Sequence, residues 1–502
     1  VTFAHHLWQS GEKQALLLST TFHLLSEYTI FFLISQSLFY ILYSFSDANM
    51  IKWNGLKGAD IMLNAFFEQM KNILKDEYDD FIKALEEPPC QAMHINTNKD
   101  PQHQIAKKFN LEAHPYVKNG YYFNKKVLPL GRLAYHDAGL YYIQEPSAML
   151  VAELADLKPG MSVLDMCAAP GGKSSKAALA IGRDGLLIAN DIVASRAKIL
   201  SENIERFGLS NTIVTNADPK QLASLLPGFF DAVIVDAPCS GEGMFRKLDQ
   251  AKTTWSMDKV KECAAIQKSL LEYASVLLKD GGTLMYSTCT YEPLENEDQI
   301  RNALQNLPLT LEPLDLKPGF CSGIDLEGVI RLYPHHFHGE GHFIAKMKKQ
   351  ETALPASAVY PVKSNLNKNQ QALLADFWHK NLNIPVPDHL YASNDHLYAL
   401  PAPYLNLKGV RILRQGLYLG ECKKNRFEPS HSLALSLLPE QALRCYNFSA
   451  DSIEIKKYLH GETLEGHQGN GFGLILVEGH PLGFVKEVNG TLKNYYPKGL
   501  RK

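Results

Sequence analysis

The chain has 502 residues, 45% of them hydrophobic and 21% charged, which is enough for roughly three domains, each with its own core. Its formal net charge of -2 rules out a strong overall positive field, so any nucleic-acid partner must be held by local basic patches. The eight cysteines lie far apart with no C-x-x-C pair; this argues against a zinc ribbon or a disulfide-stapled secreted domain and fits a reducing cytoplasm.

In the first 61 residues, Ile30 to Tyr43 is apolar, but Ser35, Gln36 and Ser37 interrupt it and it is too short to span a bilayer. Lys13 is the only Lys or Arg among the first 51 residues and no small-residue cleavage site follows, so neither membrane anchor nor secretory signal is read here. Residues 1–61 are read as a leader with no part in the fold, and a chain starting at Met62 is expected to keep full activity. From Met62, Leu63, Phe66, Phe67, Met70, Ile73 and Leu74 recur at helical spacing, followed by Tyr78, Phe81, Ile82 and Leu85, until Pro88 and Pro89 stop the pattern. These residues open a small N-terminal α/β domain, 62–141. Within it, Lys99 to Arg132 carries seven Lys or Arg against two acidic residues, interleaved with Phe109, Tyr116, Tyr121, Tyr122 and Phe123. Two readings stand side by side: a face for RNA phosphates and stacked bases, or a solvated loop around core aromatics.

Between 142 and 349, short apolar runs (SVLDMC, GLLIAND, TIVTNAD, FDAVIVDAPC, GTLMYSTCT) alternate with amphipathic helices, the pattern of a mostly parallel, doubly wound sheet. One helix face carries Ala197, Leu200, Ile204 and Phe207; another carries Val260, Cys263, Ala264, Leu270, Leu271 and Ala274, which makes Cys263 core. His335, His336 and His338 lack closely spaced Cys or carboxylate partners, so no metal site is read from them. Residues 350–370 read as a linker, 371–425 as an intermediate domain, and 426–502 as a small β-rich domain containing GFGLILVEGHPLGFV and a basic end, KNYYPKGLRK.

LDMCAAPGGKSS, Leu164 to Ser175, is a strand entering a glycine turn that opens a helix, the place where open parallel sheets bind ligands. It is not a phosphate loop of the Walker type, because Cys167 stands where that motif needs glycine. Asp191 closes the next strand, where a carboxylate can accept from ribose hydroxyls, and Asp218 and Asp236 end the following two. With Asp165, four successive acidic strand ends repel one another unless they face polar donors. S-adenosylmethionine, with amine and hydroxyl donors and a positive sulfonium, meets that description. VDAPCSGEGMFRK then places Cys239 just past one strand, and MYSTCTYEP places Cys289 at the end of the next. Both ends open on the same edge of a parallel sheet.

CAAPGGK, DAPCSGEG and STCTYEPLENE resemble the Sun (NSUN) family of RNA cytosine-5 methyltransferases over roughly Pro88 to Lys349. GECKKNRFEPSHSLAL and LKNYYPKGLR resemble one bacterial branch, the small-subunit ribosomal RNA methyltransferase F group, with a PUA-like terminal domain. The resemblance implies a Rossmann-like class I S-adenosylmethionine-dependent α/β fold and a substrate in small-subunit rRNA or the assembling 30S subunit. It further implies that Cys167, Ala168, Ala169, Pro170, Gly171, Gly172 and Lys173 line the methionine moiety, with Asp191 at the ribose, Asp218 near the adenine and Asp236 at cofactor and base. Cys289 takes the nucleophile position and Cys239 that of the cysteine assisting product release, with Asp236 and Lys173 supporting catalysis. A DNA cytosine methyltransferase would instead attack with the cysteine after proline, Cys239; the second cysteine, in STCT, argues for the RNA type. An RNA-binding assembly factor without methyl transfer would not need intact cofactor and cysteine motifs.

Overall fold

The computed structural model describes residues 59–247, 249–352, 363–401 and 407–502. The leader expected at 1–61 lies almost wholly outside the described residues; helix α1 (Ala59–Leu74) starts three residues before Met62. A short turn, Lys75–Glu77, joins it to α2 (Tyr78–Glu86). The apolar stripe of this pair is a docking face: Phe66, Met70, Leu74 and Phe81 are buried together with Phe245, Trp255, Val260, Tyr291 and Tyr333. Phe245 and Tyr291 belong to the two cysteine motifs, so the helical entry packs on the central domain.

The segment that follows builds an antiparallel sheet from β1 (Ala92–Ile95), β2 (Glu112–Ala113), β3 (Gly120–Tyr122) and β4 (Tyr141–Gln144), in the order β2-β3-β1-β4. Strand β4 crosses the boundary expected at 142. The basic segment divides between core and surface. Lys99 is buried, donating to the carbonyls of Ala138 (2.6 Å) and Arg206 (3.1 Å), and Tyr122 is core, whereas Lys107, Lys118, Lys125, Lys126 and Arg132 are exposed.

Helix α3 (Pro146–Leu154) leads into the central sheet, where β5 (Ser162–Asp165), β6 (Leu186–Asn190), β7 (Thr212–Asn216), β8 (Phe230–Asp236) and β9 (Leu278–Thr288) are parallel. Alternate residues point to opposite sides. Leu164, Ile188, Ile213, Val233 and Leu284 pack with Leu270, Leu271 and Ala274, while Val163, Leu187, Val214, Ile234 and Met285 pack with Ala177, Leu200, Ile204 and Phe207. Between these strands run α4 (Gly172–Ile181), α5 (Ala194–Phe207), α6 (Pro219–Leu225) and α7 (Met257–Leu277), covering a sheet buried on both faces. The helix faces read from sequence are buried, Cys263 included.

Beyond β9 come α8 (Glu297–Asn306), β10 (Leu309–Leu311), β11 (Cys321–Gly323), β12 (Leu326–Leu332) and β13 (His342–Lys349), which extend the sheet antiparallel past β9. A buried ion pair fixes this edge to the STCT motif. Arg331 reaches Glu297 through two hydrogen bonds of 2.6 Å and donates to the Tyr291 carbonyl at 2.8 Å. Removing one partner of such a pair leaves an uncompensated buried charge, so Glu297→Ala should lower unfolding free energy by about 3–5 kcal/mol in a denaturant titration. A cost below about 1 kcal/mol, the surface ion-pair range, would mean that this pair does not hold the edge.

The C-terminal expectations need correction. Helix α9 (Lys368–Asn381) begins inside the expected 350–370 linker, capped by reciprocal bonds between Asn367 and Gln370. Strands β14 (Leu390–Ser393), β15 (His396–Ala399), β17 (Leu417–Lys423) and β18 (Arg426–Pro429) form one sheet, but β16 (Arg411–Gln415) leaves it to pair with β7 at the edge of the central sheet. The expected 371–425 domain is therefore not self-contained, and the break at Arg426 falls inside the β17–β18 hairpin. Five further strands, β19 (Cys445–Phe448), β20 (Leu464–Glu465), β21 (Gly471–Val477), β22 (His480–Val488) and β23 (Thr491–Asn494), form the last sheet. Tyr446, Leu482 and Val485 of this sheet, with Ile455 and Tyr458 of the helix Ile453–His460, share one core with Met93, Ile95 and Tyr141 of the N-terminal sheet and with Tyr135 beside it. Deleting 426–502 should therefore expose that core and lower Tm by many degrees. An unchanged Tm would show that the shared core contributes little.

Candidate active site

Four strand ends converge on the expected edge of the central sheet. After β5 the chain turns through Met166–Gly171 into α4, with Gly171 at φ 114°, a conformation that favours glycine. The loop is held from several sides. The Ala168 N–H donates to the Asn190 carbonyl (2.8 Å), the Ala169 N–H to Asp191 Oδ2 (3.3 Å), Arg196 to the Ala169 carbonyl (2.8 Å) and Asn203 to the Pro170 carbonyl (2.8 Å). At Gly172 a Cβ would lie 2.7 Å from the Gln144 amide carbon, so the absence of a side chain lets β4 approach the loop.

The strand-end carboxylates differ in their surroundings. Asp165 is buried and accepts from Ser174 Oγ at 2.6 Å through one oxygen, while the other has no protein partner; burial pushes its carboxyl up to about 7. Asp191, also buried, accepts from the Val193 N–H at 2.9 Å. Asp218 is exposed and caps α6 by accepting from the Lys220 N–H at 2.9 Å. Buried acceptors without a protein partner, Gln144 Oε1 and Asp165 Oδ1, together with the side-chain-free approach at Gly172, suit a ligand rich in amine and hydroxyl donors. Burial pushes the Cys167 thiol up, away from thiolate character.

At the next two strand ends, Cys239 and Cys289 place their sulfurs 3.3 Å apart. The bonds that bring the two loops together are explicit: Ala237 N–H to the Ser287 carbonyl (2.9 Å), Gly243 N–H to the Cys289 carbonyl (2.9 Å), and Ser240 Oγ to Thr290 Oγ1 (2.7 Å). Glu295 accepts from the Ser240 N–H (3.0 Å) and from Gln267 (2.8 Å), and Glu242 accepts from Trp255 (2.8 Å) and the Tyr291 N–H (2.9 Å). On the outside, α1 and α2 brace the same loops through Phe66 on Phe245 (4.9 Å between ring centres) and Phe81 on Tyr291 (5.3 Å).

Lys173 and Asp236 form an ion pair of 2.8 Å beside the thiols, with side chains 10% and 33% exposed. Burial pushes the Asp236 carboxyl upward, but Lys173, His342 and the Ser287 hydroxyl, which donates at 2.8 Å, outweigh it and hold the group below its ordinary range. The Lys173 ammonium is opposed by burial and favoured by Asp236, with Cys289 adding in the same direction; the net shift is upward. The Cys239 thiol is pushed well up, first by its hydrogen bond to Cys289 and then by burial.

Sequence reasoning missed His342, whose Nε2 lies 3.8 Å from Asp236 Oδ1 and has no hydrogen-bond partner, and it missed Ser287 and Glu295. Burial, helped by Lys173, lowers the His342 imidazole to about 4, so it is neutral at physiological pH. A histidine heading the apolar start of β13 was the available signal for it; Glu295 was hidden because the groups its carboxylate accepts from, Ser240 and Gln267, lie on two other segments.

Family models match most of the chain. A model described as 16S rRNA methyltransferase RsmB/F matches residues 152–348, and models of the RsmF N-terminal domain, first C-terminal domain and PUA domain match 62–146, 376–437 and 445–502. Ribosomal RNA small subunit methyltransferase F of Erwinia tasmaniensis is 34% identical, covering 87% of this chain and 96% of that protein, and its namesake in Vibrio cholerae is 33% identical over the same shares. The chain belongs to the 16S rRNA methyltransferase RsmB/F family. A methyltransferase homologue from Pyrococcus horikoshii, 31% identical, superposes with a TM-score of 0.50 over 59% of this chain and 100% of that one. NSun6 from the same organism, solved with SFG, shares the fold with a TM-score of 0.51 at 23% identity over 57% of this chain and 98% of that one. The family is S-adenosylmethionine-dependent. Among the described residues no helix is long and apolar enough to cross a membrane.

Proposed function

We propose that this protein methylates C5 of a cytosine in small-subunit ribosomal RNA through a covalent bond between Cys289 and C6 of the base. The observation that carries this reading is the pair of sulfurs 3.3 Å apart beside the Lys173–Asp236 ion pair. Family membership supports the substrate class.

C5 of cytosine is too weak a nucleophile to take a methyl group unaided. In this reading Asp236, held ionised, accepts a hydrogen bond from the 4-amino group of the base, and Lys173 balances its charge. The Cys289 thiolate adds to C6: the S–C6 bond forms, the C5–C6 double bond gives up its π pair, and the resulting enamine makes C5 nucleophilic. S-adenosylmethionine, when bound on the Cys167–Lys173 loop, supplies an electrophilic methyl group. Once C5 carries that group it gives up its proton to a base, the C5–C6 double bond re-forms and Cys289 departs as thiolate. Cys239 holds a proton in hydrogen-bonding range of the departing sulfur and stabilises it. A duplex-stacked base cannot reach this site, which favours single-stranded or loop RNA.

The rival arrangement, attack by Cys239 as in DNA enzymes, would exchange the roles of the two sulfurs; the second cysteine, in STCT, and membership of an rRNA methyltransferase family favour Cys289. Bisulfite sequencing of ribosomal and transfer RNA, with and without the protein, tests the reading. A 5-methylcytosine should disappear from small-subunit rRNA. If only transfer RNA changes, the substrate assignment fails while the chemistry survives.

A further inference from the structure

A cluster remote from the cysteines is not used by this chemistry. The nearest carboxylate in sequence, Glu340, is four positions past His336 and pairs with Arg246, but the fold brings Glu77 to the two histidines from the N-terminal helical entry. Glu77 Oε2 lies 3.5 Å from His335 Nε2 and 3.1 Å from His336 Nε2, and one donor atom from each of the three residues falls within 4.8 Å of the others. Tetrahedral coordination with bonds of about 2.0–2.1 Å separates neighbouring ligand atoms by roughly 3.3 Å, so the two distances to Glu77 already have the right size.

The surroundings point the same way. Glu77 precedes α2 at the N-cap position, yet its side chain makes no capping bond there and turns to the histidines instead. The His335 side chain is only 5% exposed, and neither ring nitrogen has a hydrogen-bond partner. Its ring is fixed edge-on against Phe81 (5.7 Å, 82°) and tilted on Tyr333 (5.7 Å), so the unpartnered nitrogens are held in place by packing. His336 and Glu77 are more open, at 35% and 54%, which leaves room for water on the outer side. Two imidazoles and one carboxylate with an accessible fourth position are a borderline donor set suited to Zn2+ and poor for Mg2+ or Ca2+.

We propose that Glu77, His335 and His336 bind a Zn2+ ion that clamps the α1–α2 helical entry to the loop after β12. The clamp acts on the catalytic loops through packing, because Phe81 of α2 also supports Tyr291.

The test is calorimetric titration of ZnCl2 into the EDTA-treated, dialysed full-length protein, beside E77Q and H336N. One equivalent should bind to the wild type, with affinity lower by roughly ten-fold or more in each variant, at least the scale seen when a supporting group of a metal site is lost. Zn2+ should raise the Tm of the wild type and leave that of E77Q unchanged, while the variants match the wild type in EDTA, showing that they fold. Because Cys239 and Cys289 are close enough to bind zinc themselves, Co2+ substitution supplies the decisive spectrum: d–d bands without thiolate charge transfer. Equal zinc affinity in wild type and E77Q, a thiolate charge-transfer band at the first equivalent, or no binding at all would each overturn the proposal.

Discussion

Cys289→Ala should abolish methyl transfer and the RNA adduct together, whereas Cys239→Ala should still attack and methylate but release product slowly. The difference follows from the geometry. In the proposed chemistry one thiol makes the bond to C6, and the other, 3.3 Å away, stabilises the sulfur as that bond breaks. The Cys239→Ala enzyme should therefore accumulate as a slower band on a denaturing gel, removed by RNase. Cys167→Ala is the control, since its partly buried thiol lies in the proposed cofactor loop and its loss should weaken S-adenosylmethionine binding only. An adduct with Cys289→Ala but not with Cys239→Ala would reverse the two roles.

The second large effect is expected at the ion pair. Asp236→Ala removes the proposed acceptor for the base and strands the Lys173 ammonium, whose side chain is 10% exposed. Activity should fall by about 10²–10³-fold, the scale of losing one preorganised electrostatic group. Breaking a buried pair costs about 3–5 kcal/mol of stability, and the partial exposure of Asp236 places this case at the lower end. Lys173→Met should lose comparable activity, and the double variant should be more stable than Asp236→Ala alone because no unpaired charge remains. The pH dependence has a definite sign. A carboxyl held below its ordinary range contributes stability that is present above the unfolded value of about 3.9 and is lost only as pH falls through the lowered folded value. The pair should therefore survive mildly acidic conditions. A stability loss near pH 6 in the wild type, absent from Asp236→Ala, would contradict this assignment.

The central sheet and the residues at its strand ends were legible because their determinants are local strings. A parallel strand buried on both faces reads as an apolar run, and the residue that ends it faces the ligand edge, so Asp165, Asp191, Asp236 and Cys289 could be placed from periodicity alone. Contacts between distant segments were not legible. Nothing near Phe66 or Phe81 announces that they brace Phe245 and Tyr291, and nothing in Arg411–Gln415 announces pairing with β7 in place of its own neighbours. His342 and Glu77 share this property. Each is unremarkable in its own segment and acquires a role only from the groups the fold places opposite it, an anionic carboxylate in one case and two imidazoles in the other. The C-terminal boundary was misplaced for a related reason: a hairpin and a core shared with β1 and β4 tie together segments whose compositions differ.

The central claim is that Cys289 forms the bond to C6, and RNA containing 5-fluorocytidine tests it in the unaltered enzyme. Fluorine at C5 cannot leave as the proton does, so the adduct persists after methyl transfer. Digestion with trypsin and RNase then separates the two candidates, because the peptide Asp280–Arg301 contains Cys289 as its only cysteine and Gln221–Arg246 contains only Cys239. Mass spectrometry should find the methylated fluorocytidine nucleotide on Asp280–Arg301. The same mass on Gln221–Arg246, or no adduct from RNA that the enzyme methylates when unfluorinated, would contradict the account.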